Sequence, residues 1–392
     1  MSDHDIIIRD PEGGSNQSGL RDQNGRLVLT YLSRHGALSS AEIARRSRLS
    51  AQTVSNIIRA LEADGLLARG EAVKGKVGKP SVPMALNPGG VYSLGISIGR
   101  RSAELVLIDF CGKQVDAELI TYPFPSIETV FRFLSDSLAE LLKRNPPVKD
   151  RIAGIGVARP NRIWDWLEAA GAPADAMLKW QELDLQRAIA EVSEFEVFIE
   201  NDATSACVAE HLLGRGREFH DFAYIFVGHF VGGGLVLDGK VLSGQMLHAA
   251  RLGPLPVPDE AGQPVQLLNV ASLYTLEGDL KGTPHHVQQL RDERSDWTAF
   301  SATLEPWVAK TARNLAWASA SIASVVEVEA ILIDGAMPPN VREMLSAETN
   351  RAFRALDTTG IEDVRIEQAS VGRRARSIGA ALLPIHSRFF LS

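Results

Sequence analysis

At Tyr92 the apolar spacing of the chain changes period, and this change constrains the fold more than any other feature. Upstream, hydrophobic residues recur every three or four positions, as they do on one face of a helix. Downstream, "YSLGISIG", "AELVLIDF" and "KQVDAELITY" follow one another as period-two or continuous apolar runs, the pattern of strands, with a tight turn between the first two. A chain of 392 residues is also too long for one ordinary core. The expected organisation is a flexible arm over 1–15, a helical unit over 16–88 and a mixed α/β unit over 89–392.

Charge divides at the same place. Residues 16–90 carry eleven Lys/Arg and five Asp/Glu, a net +6, whereas residues 1–15 sum to −3 and residues 91–392 to −10. A basic unit on an acidic body implies that only the front end meets a polyanion.

The basic unit reads as a winged helix-turn-helix. A first helix over about 20–34 carries Leu27, Val28, Tyr31 and Leu32 at helical spacing and stops at Gly36. In "SSAEIARRS", Ser39 and Glu42 have capping-box spacing. After "SRLS", Ser50 is an N-cap for "AQTVSNIIRALEADG", whose stripe is Val54, Ile57, Ile58 and Leu61. Two short helices joined by a few residues present the second one to a major groove, N-terminus first. Ser50, Gln52, Thr53, Ser55, Asn56 and Arg59 are the candidate DNA-contacting residues. Gln and Asn match adenine edges, and hydroxyls reach phosphate. The following "EAVKGKVGKPSVPMALNP" reads as two β arms around a basic tip, with Lys74, Lys76 and Lys79 suited to phosphate.

No apolar run approaches the ~18–20 residues that cross a bilayer, and the acidic N-terminus lacks the basic region of a signal peptide. The chain is therefore read as cytoplasmic, with no membrane partner. Cys111 and Cys207 lie far apart in apolar surroundings, so both are expected to be buried and structural.

In the body, helices and strands alternate after each group of strands: a helix near 127–143, "RIAGIGVARP", helix 182–191, "FEVFIE", helix 203–213. The hairpin "FAYIFVGHFVGGGLVLDGK" comes next, then helices 265–278, 285–292 and 298–323, "EAILIDG", helix 340–355, "VRIEQA" and helix 373–386. The pattern occurs twice, which predicts a pseudo-duplicated α/β body with a cleft between two lobes. The turn Gly228-His229-Phe230-Val231-Gly232-Gly233-Gly234 has the glycine content of a phosphate cradle.

These segments together resemble the ROK family of repressors and sugar kinases. The resemblance runs from about Leu20 to Leu391 and rests on "GALSSAEIARRSRLSAQTVSNIIRALEADGLL", "VGKPSVPMALNP", "GISIG", "IAGIGVARP", "IENDATSACVAEHLLGRG", "GHFVGGGLVLDGKVLSGQ", "ILIDGAMP" and "GRRARSIGAALLP". It implies an actin/hexokinase-like (ribonuclease H-like) body in two lobes behind the winged helix. It also implies kinase loops to compare. The first phosphate loop, Asp-x-Gly-Gly-Thr in the kinases, is Ser97-Ile98-Gly99-Arg100-Arg101 here. The second, Gly-Thr-Gly-x-Gly-Gly-Gly, has His229 and Phe230 after Gly228 and retains Gly232 and Gly233. The turn after "ILI" is Asp334-Gly335-Ala336 in place of a glycine run. On this resemblance ATP binding is lost.

On the sugar side, Asn201 and Asp202 match the family's hydroxyl-binding pair, with Asp202 at the kinase base position; the other reading of Asp202 is a helix N-cap. Arg251 stands where the family has a sugar-binding Glu, and Pro254 where it has a His shared by sugar and zinc. Arg251 is read either as a surface or interlobe ion-pair residue or as a pocket cation. The family's cysteine zinc motif is absent from "VPDEAGQPVQLLNVASLYTLEG", so neither a metal nor another cofactor is expected. Trp164, Trp166 and Trp180 are read as core or subunit-contact residues, with stacking on a sugar as the other reading.

The reading that follows is a transcriptional repressor of carbohydrate-related genes and not an enzyme. Its expected partners are a double-stranded DNA operator, a carbohydrate-type effector held by Asn201, Asp202 and Arg251, and further copies of itself in a homodimer or homotetramer. The alternative is an ATP-dependent sugar kinase with an appended DNA-binding domain.

Overall fold

In a computed structural model of the chain, residues 17–71, 82–165, 172–244, 250–292 and 295–391 are described. The expected arm over 1–15, the basic tip with Lys74, Lys76 and Lys79, and Trp166 lie outside them. Two compact units are formed, one of Met1–Gly90 with His386–Ser392, the other of Val91–Ile385.

In the first unit, α1 (Gln17–His35), α2 (Ser40–Ser47) and α3 (Ala51–Ala63) bury Val28, Leu29, Leu32, Ile43, Val54, Ile57 and Ile58. The capping box closes as its spacing predicts: the Glu42 N–H donates to Ser39 Oγ at 3.2 Å, and the Ser39 N–H donates to Glu42 Oε2 at 2.9 Å. Arg48 ends α2 in the left-handed region at φ 57°, and Ser50 reopens the helix by accepting from the Thr53 N–H at 3.1 Å. Strands β1 (Leu67–Arg69) and β2 (Met84–Leu86) pair antiparallel and complete the winged helix.

The second unit holds two five-stranded sheets. The first contains β3 (Tyr92–Ile98), β4 (Ser102–Asp109), β5 (Gln114–Thr121), β6 (Ile152–Arg159) and β7 (Val197–Asn201) in the order β5-β4-β3-β6-β7. The second contains β8 (Phe222–Val227), β9 (Val231–Leu237), β10 (Lys240–Val241), β13 (Ala330–Gly335) and β14 (Arg365–Gln368) in the order β10-β9-β8-β13-β14. Both read third, second, first, fourth, fifth, with an antiparallel hairpin at one side and parallel strands at the other. The duplication expected from the sequence is therefore a duplication of topology. Each sheet has its own apolar core, as the actin/hexokinase-like reading requires.

Between the lobes, two helices pack very closely on the strands. The helix Asp202–Leu213 lies on β9, where a Cβ on Gly234 would stand 2.4 Å from Cys207 Cβ. The last helix, Ala375–Phe389, lies on β3 and β6, where a Cβ on Gly156 would meet the Ala380 carbonyl oxygen at 1.8 Å. Gly232 and Gly234 of the hairpin thus serve helix packing.

Two local readings need correction. Residues 265–278 are not one helix: β11 (Pro256–Pro258) and β12 (Pro264–Gln266) form a hairpin, and a helix begins only at Leu273. Three prolines in the two strands and Gly262 at φ 77° favour the turn over helical spacing. Cys111 is exposed, in the tight turn between β4 and β5, where its N–H donates to Asp109 Oδ1 at 2.9 Å; Cys207 is buried. Among the described residues, no helix is long and apolar enough to cross a membrane.

Candidate functional site

The exposed end of α3 carries a connected polar row. Gln52 Nε2 donates to Asn56 Oδ1 at 3.2 Å, and Arg59 Nη2 donates to the same oxygen at 2.8 Å. Arg59 Nε donates to the Ser55 carbonyl at 3.3 Å, and the Ser50 and Thr53 hydroxyls are 2.8 Å apart. These contacts hold the Asn56 carboxamide by its oxygen and leave its nitrogen as the donor facing out. Ser50, Gln52, Asn56 and Arg59 are exposed, and Thr53 and Ser55 half-buried.

In the second unit a cavity of about 180 Å³ opens between the lobes. Asn201 and Asp202, Arg251 with Pro254, and Gly99, Arg100, His229, Gly232 and Gly233 all line it. Asn201, and not Asp202, caps the helix Asp202–Leu213: its Oδ1 accepts from the N–H groups of Ala203 at 3.0 Å and Thr204 at 3.3 Å. Asp202 is thereby free of the cap, and its carboxylate faces Arg376 Nη1 at 3.6 Å. Beneath it, Glu200 is buried and accepts from the Asn201 N–H at 2.7 Å; burial holds its carboxyl above the usual value.

Arg100 enters from the β3–β4 turn and is 5% exposed. Its Nη1 donates to the Ile163 carbonyl at 2.6 Å, and the guanidinium lies 4.7 Å from the Phe230 ring centroid. Desolvation pushes its pKa down to about 10, against the pull of Asp202 and Asp165. Arg100 from the β3–β4 turn therefore packs over Phe230 from the turn between β8 and β9.

A smaller cavity of about 100 Å³ lies beside the first, lined among others by Ser97, Arg101, Glu104, His229 and Glu277. Arg101 Nε and His229 Nδ1 both stand 3.7 Å from Glu277 Oε2. Arg374 Nε donates to Glu104 Oε1 at 2.8 Å, and Arg373 Nη2 to the carbonyls of Leu290 at 3.1 Å and Ala336 at 3.0 Å. The Asp334-Gly335-Ala336 turn is pinned from below. Asp334, fully buried, pairs with Arg342 at 2.7 Å and accepts from the Tyr224 hydroxyl and the Gly372 N–H, each at 2.9 Å.

Gly228 stays outside the lining of both cavities; its carbonyl accepts from the Leu273 N–H at 2.9 Å. Trp180 is core, its indole N–H donating to the Pro125 carbonyl at 2.7 Å. Among the described residues no three His, Cys, Asp or Glu side chains gather as a metal set. Sequence reasoning missed Arg162 and Arg376, which line the larger cavity, and Glu277, which joins Arg101 to His229. The run "GRRARS" flagged several cations, but only the phase of the helix starting at Ala375 shows which one faces the cleft.

A winged helix followed by a duplicated two-sheet body with a cleft between its lobes defines a class of multidomain α/β proteins. Within it, this chain belongs to the ROK family, whose profile matches residues 93–386; the MarR family profile matches residues 26–76. The chain is 26% identical over 239 residues to a xylose repressor of Caldicellulosiruptor bescii, covering 61% of this chain and 59% of that one. It is 22% identical over 269 residues to the DNA-binding transcriptional dual regulator NagC of Escherichia coli, covering 67% and 65%. Among solved structures it is similar to a ROK family transcriptional regulator described as a homologue of the E. coli MLC protein. That match has a TM-score of 0.66 at 21% identity, over 94% of this chain and 96% of the other. It is also similar to a ROK hexokinase of Thermus thermophilus, with a TM-score of 0.54 at 24% identity, over 74% and 98%.

Proposed function

We propose that this chain is a sequence-specific DNA-binding transcriptional repressor of carbohydrate-related genes, acting in the cytoplasm. Its operator affinity is set by a small carbohydrate-type effector in the larger cleft. The observation that carries the reading is the joined polar row of Gln52, Asn56 and Arg59 on a capped, exposed helix, carried by the same chain as a ROK body.

In this reading Gln52, Thr53, Ser55, Asn56 and Arg59 read base edges, Ser50 contacts phosphate beside the helix start, and Lys74, Lys76 and Lys79 add phosphate contacts. A homodimer or homotetramer presents two reading helices to half-sites about 34–36 Å apart, or a multiple of that. Asn201, Asp202 and Arg251 hold the effector. The effector switches the protein because it binds the DNA-competent and DNA-incompetent states with different affinity. The chain does no phosphoryl transfer. Arg100, Arg101, His229 and Glu277 fill the nucleotide side, and no cofactor or metal takes part.

The test is selection of binding sites from a random duplex pool by the full chain, followed by anisotropy titration of the selected duplex with and without a sugar panel. A two-fold-related consensus whose affinity changes with one class of sugar is expected. Binding that enriches no sequence would sink the proposal.

A further inference from the structure

The larger cavity has an unusual charge inventory for a site that holds a neutral sugar. Arg100, Arg162, Arg251 and Arg376 line it, and Asp202 is the one carboxylate among the described lining residues. Their counter-charges are few. Arg162 Nε pairs with Asp165 Oδ2 at 2.9 Å, and Arg376 shares Asp202 at 3.6 Å. Arg100 donates to the carbonyls of Ile163 at 2.6 Å and Arg162 at 3.4 Å and lies over the Phe230 ring. Arg251 is exposed at the mouth and has no ion pair or hydrogen bond among the described residues. Arg376 Nε is buried and has no acceptor among them either. Arg159 is also held below its usual pKa by burial, and the opposing charge that acts on it is the same Asp202.

Guanidinium groups are donors only, and a carboxylate or phosphate is an acceptor with matching fork geometry. A neutral sugar's hydroxyls need acceptors as well as donors, and this wall supplies few. Holding several guanidiniums in a partly desolvated cleft is costly unless an opposite charge joins them. The volume of about 180 Å³ lies below the ~300–1,000 Å³ typical of drug-sized sites, which limits the occupant to roughly a single sugar unit.

We infer that the cleft takes an anionic monosaccharide derivative, a polyol of one sugar unit bearing a carboxylate or a phosphate. Its anionic group meets Arg376 and Arg251, and its hydroxyls meet Asp202 and the side-chain nitrogen of Asn201. This rests on the reading of the cleft as the effector site and specifies its ligand.

Isothermal titration of the full chain tests it with matched sets: glucose, gluconate, glucuronate and glucose 6-phosphate; xylose and xylonate; and inorganic phosphate alone. The expected result is that at least one anionic sugar binds tenfold or more tighter than its neutral parent and than inorganic phosphate. Arg251→Gln and Arg376→Gln should each lose about tenfold for that ligand, and raising the salt should weaken it. Binding confined to the sugar acids names the carboxylate, and binding confined to the sugar phosphate names the phosphate; either supports the inference. A neutral sugar that binds as tightly as its anions overturns the inference while the effector-site reading stands. Failure of every sugar to bind overturns both. Arg251 is exposed, so its variant reports on binding even where the Arg376 variant is misfolded.

Discussion

The Arg376 guanidinium stands 3.6 Å from the carboxylate of Asp202, the residue that the resemblance to the ROK sugar kinases puts forward as a base. The two residues come from the first turns of two different helices. The carboxylate that most invites a catalytic reading is thus already paired inside the cleft.

This pairing, with the packing of Arg100 over Phe230, predicts the absence of kinase turnover. The second cavity, about 100 Å³, is well below the ~300–1,000 Å³ of ordinary ligand sites, and a nucleoside triphosphate is a large ligand. In-line transfer also needs donors and a metal around the phosphates. A coupled assay for ADP release, with magnesium-ATP and a panel of hexoses and pentoses, should give the rate of the protein-free control, unchanged in Asp202→Ala. Turnover that Asp202→Ala abolishes would restore the kinase reading.

The triple glycine after His229 carries a stability prediction. A Cβ on Gly234 would lie 2.4 Å from Cys207 Cβ and 2.7 Å from its sulfur, both in a fully buried helix face. Gly234→Ala should therefore cost about 1–3 kcal/mol through overpacking, read as a lower denaturation midpoint of the body. Gly278→Ala, where an added Cβ meets nothing within 4 Å, is the control and should be neutral or slightly stabilising. Equal midpoints for the two variants would contradict the packing account.

The contrast between these glycines and the helix caps separates what sequence could reveal from what it could not. Ser39 with Glu42, and Ser50 before Thr53, act within three residues, so their roles were legible from spacing alone. Period-two runs likewise announced the strands of both sheets. The partners of Gly234 and Gly233 are Cys207 and Leu252, each brought in by tertiary packing that no local pattern encodes. The sequence offered Asp202 as either cap or ligand, and only the backbone shows that the Asn201 oxygen takes the cap, over two helix N–H groups. Arg376 was one of four arginines between 373 and 388, and only the approach of its helix to Asp202 singles it out.

The capping box gives a pH dependence of defined sign. Hydrogen bonds from the Ser39 hydroxyl and N–H hold the Glu42 carboxyl below its usual 4.5. A depressed folded pKa means that the stabilisation is fully present above the unfolded value and is lost as pH falls through the folded one. Ser39→Ala should destabilise the winged-helix unit by about 0.5–2 kcal/mol at neutral pH. The difference from the unsubstituted chain should shrink on acidification below about 4.5, in urea titrations followed by circular dichroism. A gap that stays constant down to pH 3 would show that Glu42 takes no part.

The reading helix gives the sharpest test of the DNA proposal. Asn56 is held by its oxygen from two sides, by Gln52 and by Arg59, which orients its nitrogen as a donor before DNA arrives. If that donor reads a base edge, Asn56→Ala should cost about 1–3 kcal/mol on the selected operator, and the loss should concentrate at one base position. Arg59→Ala removes one of the two hydrogen bonds that orient Asn56, so its effect and that of Asn56→Ala should be less than additive in a double-mutant cycle. Lys76→Ala should instead weaken every duplex alike and lower the slope of log affinity against log salt by about one unit. Anisotropy titrations of the three variants on the operator and its single-base variants, at several salt concentrations, separate these outcomes. Uniform loss on all sequences for Asn56→Ala would remove α3 as the element that reads sequence and leave it only a phosphate contact.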